Sequence, residues 1–379
     1  MKIQFSLIDL LILFGIIQGI ITGILILNSK KNTRSKVFLA LALFAFCFLS
    51  SKTLLLSLNI WEIPAFRYFP NGIELALPPL IYFYVKSLVN PRFTLKIRGW
   101  LHFIPFALSQ TYAFVVYFAV LTTNNISEKD TIAGSLNFNY IKQIDEYLLL
   151  ISLALYLFYG YRELHEYKKW LDNTTSNGTF PDFGWLNSIF RLSLIIAGFL
   201  LVNHSLDIFF DLNNTTYLHY NLLILFIAFL IYYLGLKGYL QPDYTFSKEE
   251  IILDSAPHAT LSEAKITDTI DKLQKVMNDD KVFLNPKLSS YKLSMLLGVS
   301  QKNLSVAINQ RYNVSFRDFI NNYRLDEIKS KLNNADYHHM SIFGIALECG
   351  FNSEASFYRI FKKNIGISPK EFIQKKNTE

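Results

Sequence analysis

The chain has 379 residues, of which 51% are apolar, 16% aromatic and only 18% charged, with a formal net charge of +7. An ordinary soluble domain carries about 25% charged residues, so the composition argues against a wholly soluble protein and for a membrane protein. The two cysteines, Cys47 in an apolar run and Cys349 beside a glycine turn, exclude a disulfide framework and a cysteine metal site.

Long uncharged runs fill the first 240 residues, while acids and bases crowd the last 140, so two parts are expected. Lys2 is followed by an apolar run without a small-residue cleavage site, which suits a retained spanning helix. Stretches of spanning length follow at 8–27, 37–57, 73–89, 101–121, 140–161, 187–209 and 220–240, seven in all. The third contains Pro78 and Pro79, and six helices are the alternative count.

Alternate loops carry unequal positive charge. One set holds Lys30, Lys31, Arg34, Lys36, Arg92, Lys96, Arg98, Arg162, Lys168 and Lys169; the other holds Lys2, Arg67 and Lys129. The positive-inside bias places the first set in the cytoplasm, the N-terminus outside and the part after Gln241 in the cytosol. A multi-pass protein in contact with membrane lipid is expected.

Gly15, Gly19 and Gly23 share one face of the first span. That face admits a close neighbour, either within one bundle or in a homodimer. In the sixth span His204 and Asp207, three residues apart, share a face near the outer end. Either they sense an external ligand or protons, or Asp207 reaches headgroup water with His204 as its partner. The spans contain no HExxH, GxSxG, P-loop or glycine-rich dinucleotide turn. No catalytic residue, metal or cofactor is therefore assigned, and the protein is not expected to be an enzyme.

Residues 241–261 mix proline, serine and charge in the manner of a linker. A C-terminal part, 262–379, then opens with an amphipathic helix carrying Ile266, Ile270, Leu273 and Met277, with Ser262 as its cap. Its apolar face suits its own domain or a partner's copy.

The last hundred residues repeat. Gly298 matches Gly350 at a distance of 52, and Ser300, Ile308, Ser315 and Phe319 match Ser353, Phe361, Ser368 and Phe372 at 53. Each copy reads as a helix (290–297, 341–349), a glycine turn and a second helix (301–311, 353–363), a helix-turn-helix twice over. Periodicity turns Phe357, Ile360 and Phe361 inward and leaves Glu354, Ala355, Arg359 and Lys362 outward. In the first copy Leu304 and Ile308 point inward, leaving Lys302, Val306 and Asn309 outward beside Asn303 and Ser305. Such side chains reach base edges or phosphates in a major groove, although a plain helical bundle exposes a similar mixture. From residue 283 onward 14 Lys and Arg outweigh 8 acids by 6, with Lys362, Lys363, Lys370, Lys375 and Lys376 clustered, as phosphate neutralisation requires.

The stretch "SIFGIALECGFNSEASFYRIFKKNIGISPKEF" resembles the second helix-turn-helix and closing signature of AraC/XylS-type transcription regulators. "LSMLLGVSQKNLSVAINQRYNVSFRDFINNYRLDEIKSKL" resembles their first half and linking helix, so the resemblance covers about 283–374. It implies binding to double-stranded DNA by two recognition helices and regulation of promoters, with RNA polymerase as the partner there. The base-facing positions then fall on Lys302, Ser305 and Val306, and on Glu354, Ala355, Ser356 and Arg359. The chain departs from the pattern at Val306, Ile308 and Asn313, the last of which tolerates positive φ. The combined expectation is an all-α protein: a seven-helix transmembrane bundle over 1–240, serving as anchor and sensor of an unknown signal ligand, joined to a cytosolic DNA-binding domain. The resemblance places it in the bacterial cytoplasmic membrane. A transporter or channel with a cytosolic helical protein-interaction module is the alternative.

Overall fold

The computed structural model describes residues 6–29, 33–90, 93–176, 183–210, 218–241, 262–337 and 339–377. The expected linker, apart from its first residue, lies outside them. Among the described residues there is no β-strand, only one isolated bridge between Thr175 and Ser289. The chain divides into two compact units, Met1–His165 with Phe183–Asp243, and Glu166–Asp182 with Tyr244–Glu379. Residues 166–176, grouped by sequence with the apolar part, thus cluster with the C-terminal part.

In the first unit α1 (Leu7–Leu27) opens with a capping box in which Asp9 N–H donates to Ser6 Oγ at 3.1 Å and Ser6 N–H to Asp9 Oδ2 at 2.8 Å. It packs on α2 (Arg34–Ser57) and α8 (Leu218–Tyr239). The glycine face makes this possible. A Cβ at Gly15 would lie 2.9 Å from Ala228 Cβ, at Gly19 2.5 Å from both Cys47 Sγ and Ile231 Cγ2, and at Gly23 2.6 Å from Phe44. The close neighbours are therefore helices of the same chain, and this face is not open to a second copy.

The third expected span is cut short. Pro78 and Pro79 sit in the first turn of α3 (Leu77–Val89), where a missing N–H costs no helical bond. Thirteen residues rise only about 20 Å, less than the roughly 30 Å of a hydrocarbon core. The helix α4 (Ile104–Val120) continues a 3-10 turn, and α5 (Ile126–Ser135) follows it. Lys129 of α5 is buried and donates to the Val120 carbonyl at 2.6 Å, closing the end of α4. Nearby, Arg67 grips Asp130 with two bonds of 2.9 and 2.7 Å, and Tyr68 Oη donates to the same carboxylate at 2.9 Å.

The helix α6 (Phe138–Thr174) runs for 37 residues, well past its uncharged stretch between Glu146 and Arg162, and α7 (Leu186–Phe210) follows. Five described helical segments are long and apolar enough to cross a membrane: Leu7–Leu27, Arg34–Ser57, Ile97–Val120, Leu186–Leu206 and Tyr220–Tyr239. The seven expected spans thus reduce to five of full length and composition, with α3 too short and α6 too charged at its ends. Lys52 pairs with Glu74 at 3.3 Å and Lys86 with Glu163 at 2.7 Å.

The second unit holds α9 (Glu263–Asn278), α10 (Ser290–Leu297), α11 (Gln301–Tyr312), α12 (Phe316–Leu332), α13 (Ile342–Glu348), α14 (Glu354–Ile365) and α15 (Pro369–Asn377). It has two apolar cores. The first buries Ile266, Ile270, Leu273 and Met277 of α9 against Leu293, Leu304, Ile308 and Ile320, so α9 packs on its own domain. The second gathers Leu325, Ile328, Ile345, Cys349, Phe351, Phe357 and Phe361. Because α12 gives Phe316, Phe319 and Ile320 to one core and Leu325 and Ile328 to the other, it is the beam on which both halves rest.

Candidate nucleic-acid interface

Each half is built from the same local parts. Gly298 ends α10 in the left-handed region at φ 67°, and Gly350 turns the chain after α13 at φ 90°. Serine then caps each following helix: Ser300 Oγ accepts from Asn303 N–H at 3.1 Å, and Ser353 Oγ from Ser356 N–H at 3.5 Å. Ser289, Ser315 and Ser341 cap α10, α12 and α13 in the same way. Ser262 occupies the cap position of α9 without a side-chain bond. Asn313 takes the left-handed conformation at φ 53°, as its chemistry allows.

The outward stripe of α14 is exposed as the period predicts, whereas that of α11 is exposed only at Asn309. In α11 Leu304, Ala307 and Ile308 are buried, Lys302, Asn303, Ser305 and Val306 are half-buried, and Asn309 is exposed. In α14 Phe357 and Phe361 are buried, Ser356 and Ile360 half-buried, and Glu354, Ala355, Arg359, Lys362 and Lys363 exposed. The aromatic faces lock α14 in place: Phe357 meets Phe351 at 5.4 Å and Phe361 at 5.7 Å, and Phe361 meets Phe372 at 5.7 Å, all edge to face. Lys363 stands 3.5 Å from Asp318 of α12, an exposed pair that a phosphate would have to outcompete.

Arg324 of α12 is the largest fully buried side chain among the described residues. It lies on the stripe Phe316, Ile320, Arg324, Ile328, spaced by four, so its burial was readable from helical period alone. Its Nε donates to the Phe283 carbonyl at 2.7 Å and its Nη2 to the Asn285 carbonyl at 2.9 Å, while the guanidinium lies 5.8 Å from the Phe351 ring. One cation thereby ties the first half to the second. Burial pulls its pKa down to about 10, which leaves it charged at neutral pH. Burial likewise pushes the Cys349 thiol up to about 12, so it stays an unreactive part of the core.

The same arginine reaches residues distant in sequence. Arg324 Nη2 donates to Ser176 Oγ at 3.2 Å, and Ser176 Oγ donates to the Leu288 carbonyl at 2.6 Å. Two helical turns earlier, Arg317 pairs with Asp172 at 2.9 Å and donates to the Thr175 carbonyl at 3.2 Å, the Leu171 carbonyl at 3.3 Å and Thr175 Oγ1 at 3.0 Å. A cation thus satisfies the last carbonyls of α6, the end at which a helix favours positive charge. The end of α6 is in this way built into the second unit. Nothing in the local pattern of 166–176 announces these contacts, because they join partners more than a hundred residues apart.

Of the expected pair His204 and Asp207, only the first side chain is described. His204 Nδ1 lies 3.6 Å from Glu146 and its Nε2 3.2 Å from Tyr147 Oη. The side chain of Asp207 lies outside the described residues.

Residues 293–375 match a helix-turn-helix domain family of the AraC type, and this region of the chain is such a domain. Uncharacterized HTH-type transcriptional regulators of Staphylococcus aureus strains MSSA476 and N315 are each 34% identical over 108 residues, covering 26% of this chain and 14% of theirs. The chain therefore spans only a small part of the relatives it matches. No solved structure matches.

Proposed function

We propose that the protein is a membrane-anchored, sequence-specific DNA-binding transcription regulator of the one-component kind, in which a helical bundle carries a signal to a cytoplasmic DNA-binding domain. The observation that carries the DNA-binding half is the pair of serine-capped recognition helices, α11 and α14, whose polar and basic stripes face outward from cores shared through α12. Lys302, Asn303, Ser305, Val306 and Asn309 on the first, and Glu354, Ala355, Ser356 and Arg359 on the second, are assigned to bases, with Lys362 and Lys363 assigned to phosphates. Double-stranded DNA is the partner, and RNA polymerase the machinery acted on.

Membrane anchorage is supported by the five helical segments of spanning length and by large apolar side chains exposed on the first unit, among them Phe14, Leu108 and Phe118. Orientation is supported by the segment around Lys168 and Lys169, which charge assigns to the cytoplasm and which clusters with the DNA-binding unit. Signal transfer is supported by the grip of Arg317 and Arg324 on residues 171–176.

The test is titration of the full chain in lipid nanodiscs against duplexes recovered by genome-wide mapping of bound DNA. Arg359→Ala is expected to cost about 1–3 kcal/mol and to relax preference at one base position, because its fork can hold guanine O6 and N7 together. Lys363→Ala is expected to weaken all duplexes alike and lower the salt slope by about one or less, since Asp318 already competes for it. An unchanged specificity ratio in Arg359→Ala would remove α14 from the bases.

A further inference from the structure

The first unit encloses a cavity of about 650 Å³ walled by α2, α3, α6, α7 and α8, within the roughly 300–1,000 Å³ typical of small-molecule sites. Its chemistry is lopsided. The body is apolar, lined by residues such as Leu49, Ile81, Leu153, Leu157, Ile196 and Ile227. The charged groups gather where α2 ends and α3 and α8 begin, Lys52, Glu74 and, from the first third of α6, Glu146, with Asn221 beside them, while Tyr82, Tyr156 and Ser193 are the polar side chains along the body. Lys52 and Glu74 are 3.3 Å apart, and Glu146 is 3.6 Å from His204. From Glu146 to Gly160, both on the lining, α6 rises about 21 Å, somewhat more than one leaflet of hydrocarbon.

We propose that this cavity binds a linear amphiphile, its alkyl chain along the apolar body and a hydrogen-bond-donating, uncharged or cationic head among Lys52, Glu74, Glu146 and Asn221. The match is one of asymmetry: a site polar at one end and apolar along its length loses least by taking a molecule divided in the same way. The head follows from charge. The lining holds two carboxylates, Glu74 and Glu146, against one ammonium, Lys52, so an anionic head meets excess negative charge where partial burial strengthens it. Hydroxyl or ammonium donors find carboxylate acceptors already in place. The occupant is drawn either from the membrane's own lipid or from free amphiphile arriving at the outer face. Binding itself does not depend on the transcriptional reading; only its role as the signal rests on that reading.

The test uses the full chain in nanodiscs with radiolabelled dodecan-1-ol, dodecylamine and dodecanoate. Saturable binding is expected for the first two, with dodecanoate weaker by about tenfold. Glu74→Gln should narrow that difference. Leu157→Trp, which fills the body, should weaken all three by about tenfold or more. Leu153→Phe, a smaller filling, should give an intermediate loss if Leu157→Trp fails to fold. Native mass spectrometry of the untreated protein separates the sources: a retained lipid displaced by dodecan-1-ol indicates the membrane, and an empty protein that fills on addition indicates the free amphiphile. No saturable binding and no retained amphiphile overturns the site, and tightest binding of dodecanoate overturns the head. DNA titration of the same samples keeps the two proposals apart, because intact DNA binding without amphiphile binding removes only the cavity site.

Discussion

Two glycines at equivalent turns carry unequal demands. Gly298, at φ 67°, has open space where a Cβ would go, whereas a Cβ on Gly350, at φ 90°, would lie 2.7 Å from the Leu284 carbonyl, 2.8 Å from the Phe283 carbonyl and 2.9 Å from Arg324 Nε. Gly298→Ala should cost only the left-handed penalty, about 1 kcal/mol. Gly350→Ala adds a clash with backbone that cannot move away, beside the arginine that joins the halves. It should cost about 3 kcal/mol or more, the range of strain plus overpacking. Chemical denaturation of the full chain, followed through the transition that abolishes DNA binding, checks the ranking. Equal losses would mean that the packing around Arg324 is looser than drawn.

Among elements, the first helix and the end of the sixth invite opposite outcomes. Gly19→Leu in α1 must displace Cys47 and Ile231, so it should lower thermal stability and the yield of folded protein while leaving the oligomeric state in detergent unchanged. A shift in oligomeric state with unchanged stability would reassign the glycine face to an interface between copies. Arg317→Ala removes the cation from the C-terminal carbonyls of α6 together with its Asp172 pair. It should cost the second unit about 1–2 kcal/mol and blunt the transcriptional response to stimulus, while specific DNA affinity stays within about twofold. A reporter gene driven by a mapped promoter, read beside a binding titration, decides the point. A fall in affinity equal to the fall in response would make the contact merely structural.

For the whole molecule, the charge asymmetry of the loops sets the experiment. A reporter fused after Gln241 should behave as cytoplasmic and one inserted at Asn125, the cap of α5, as external. The reverse would separate the DNA-binding unit from DNA altogether. The two units differ in how much apolar surface they leave exposed, as the proposed membrane anchorage requires. Exposed Leu, Ile and Phe are numerous on the first unit, whereas the second unit gathers most of its apolar side chains into two cores.

Sequence alone determined whatever rests on local period and local chemistry. The helices α11 and α14 begin and end within two residues of expectation because serine caps, glycine turns and apolar stripes act within a few residues of themselves. The outward placement of Asn309, Glu354, Ala355, Arg359 and Lys362 follows from the same period. Hydropathy alone found the five helical segments long and apolar enough to cross a membrane, but it overran at α3, where paired prolines open a helix instead of interrupting one. Tertiary structure decided the rest. The glycine face of α1 meets α2 and α8, His204 turns to Glu146, and α9 packs on its own domain. Arg317 and Arg324 hold residues 171–176. A local period can show that a face is apolar, small-sided or buried, but the partner it meets is chosen by shape and by the need to satisfy a buried charge, which no single segment carries.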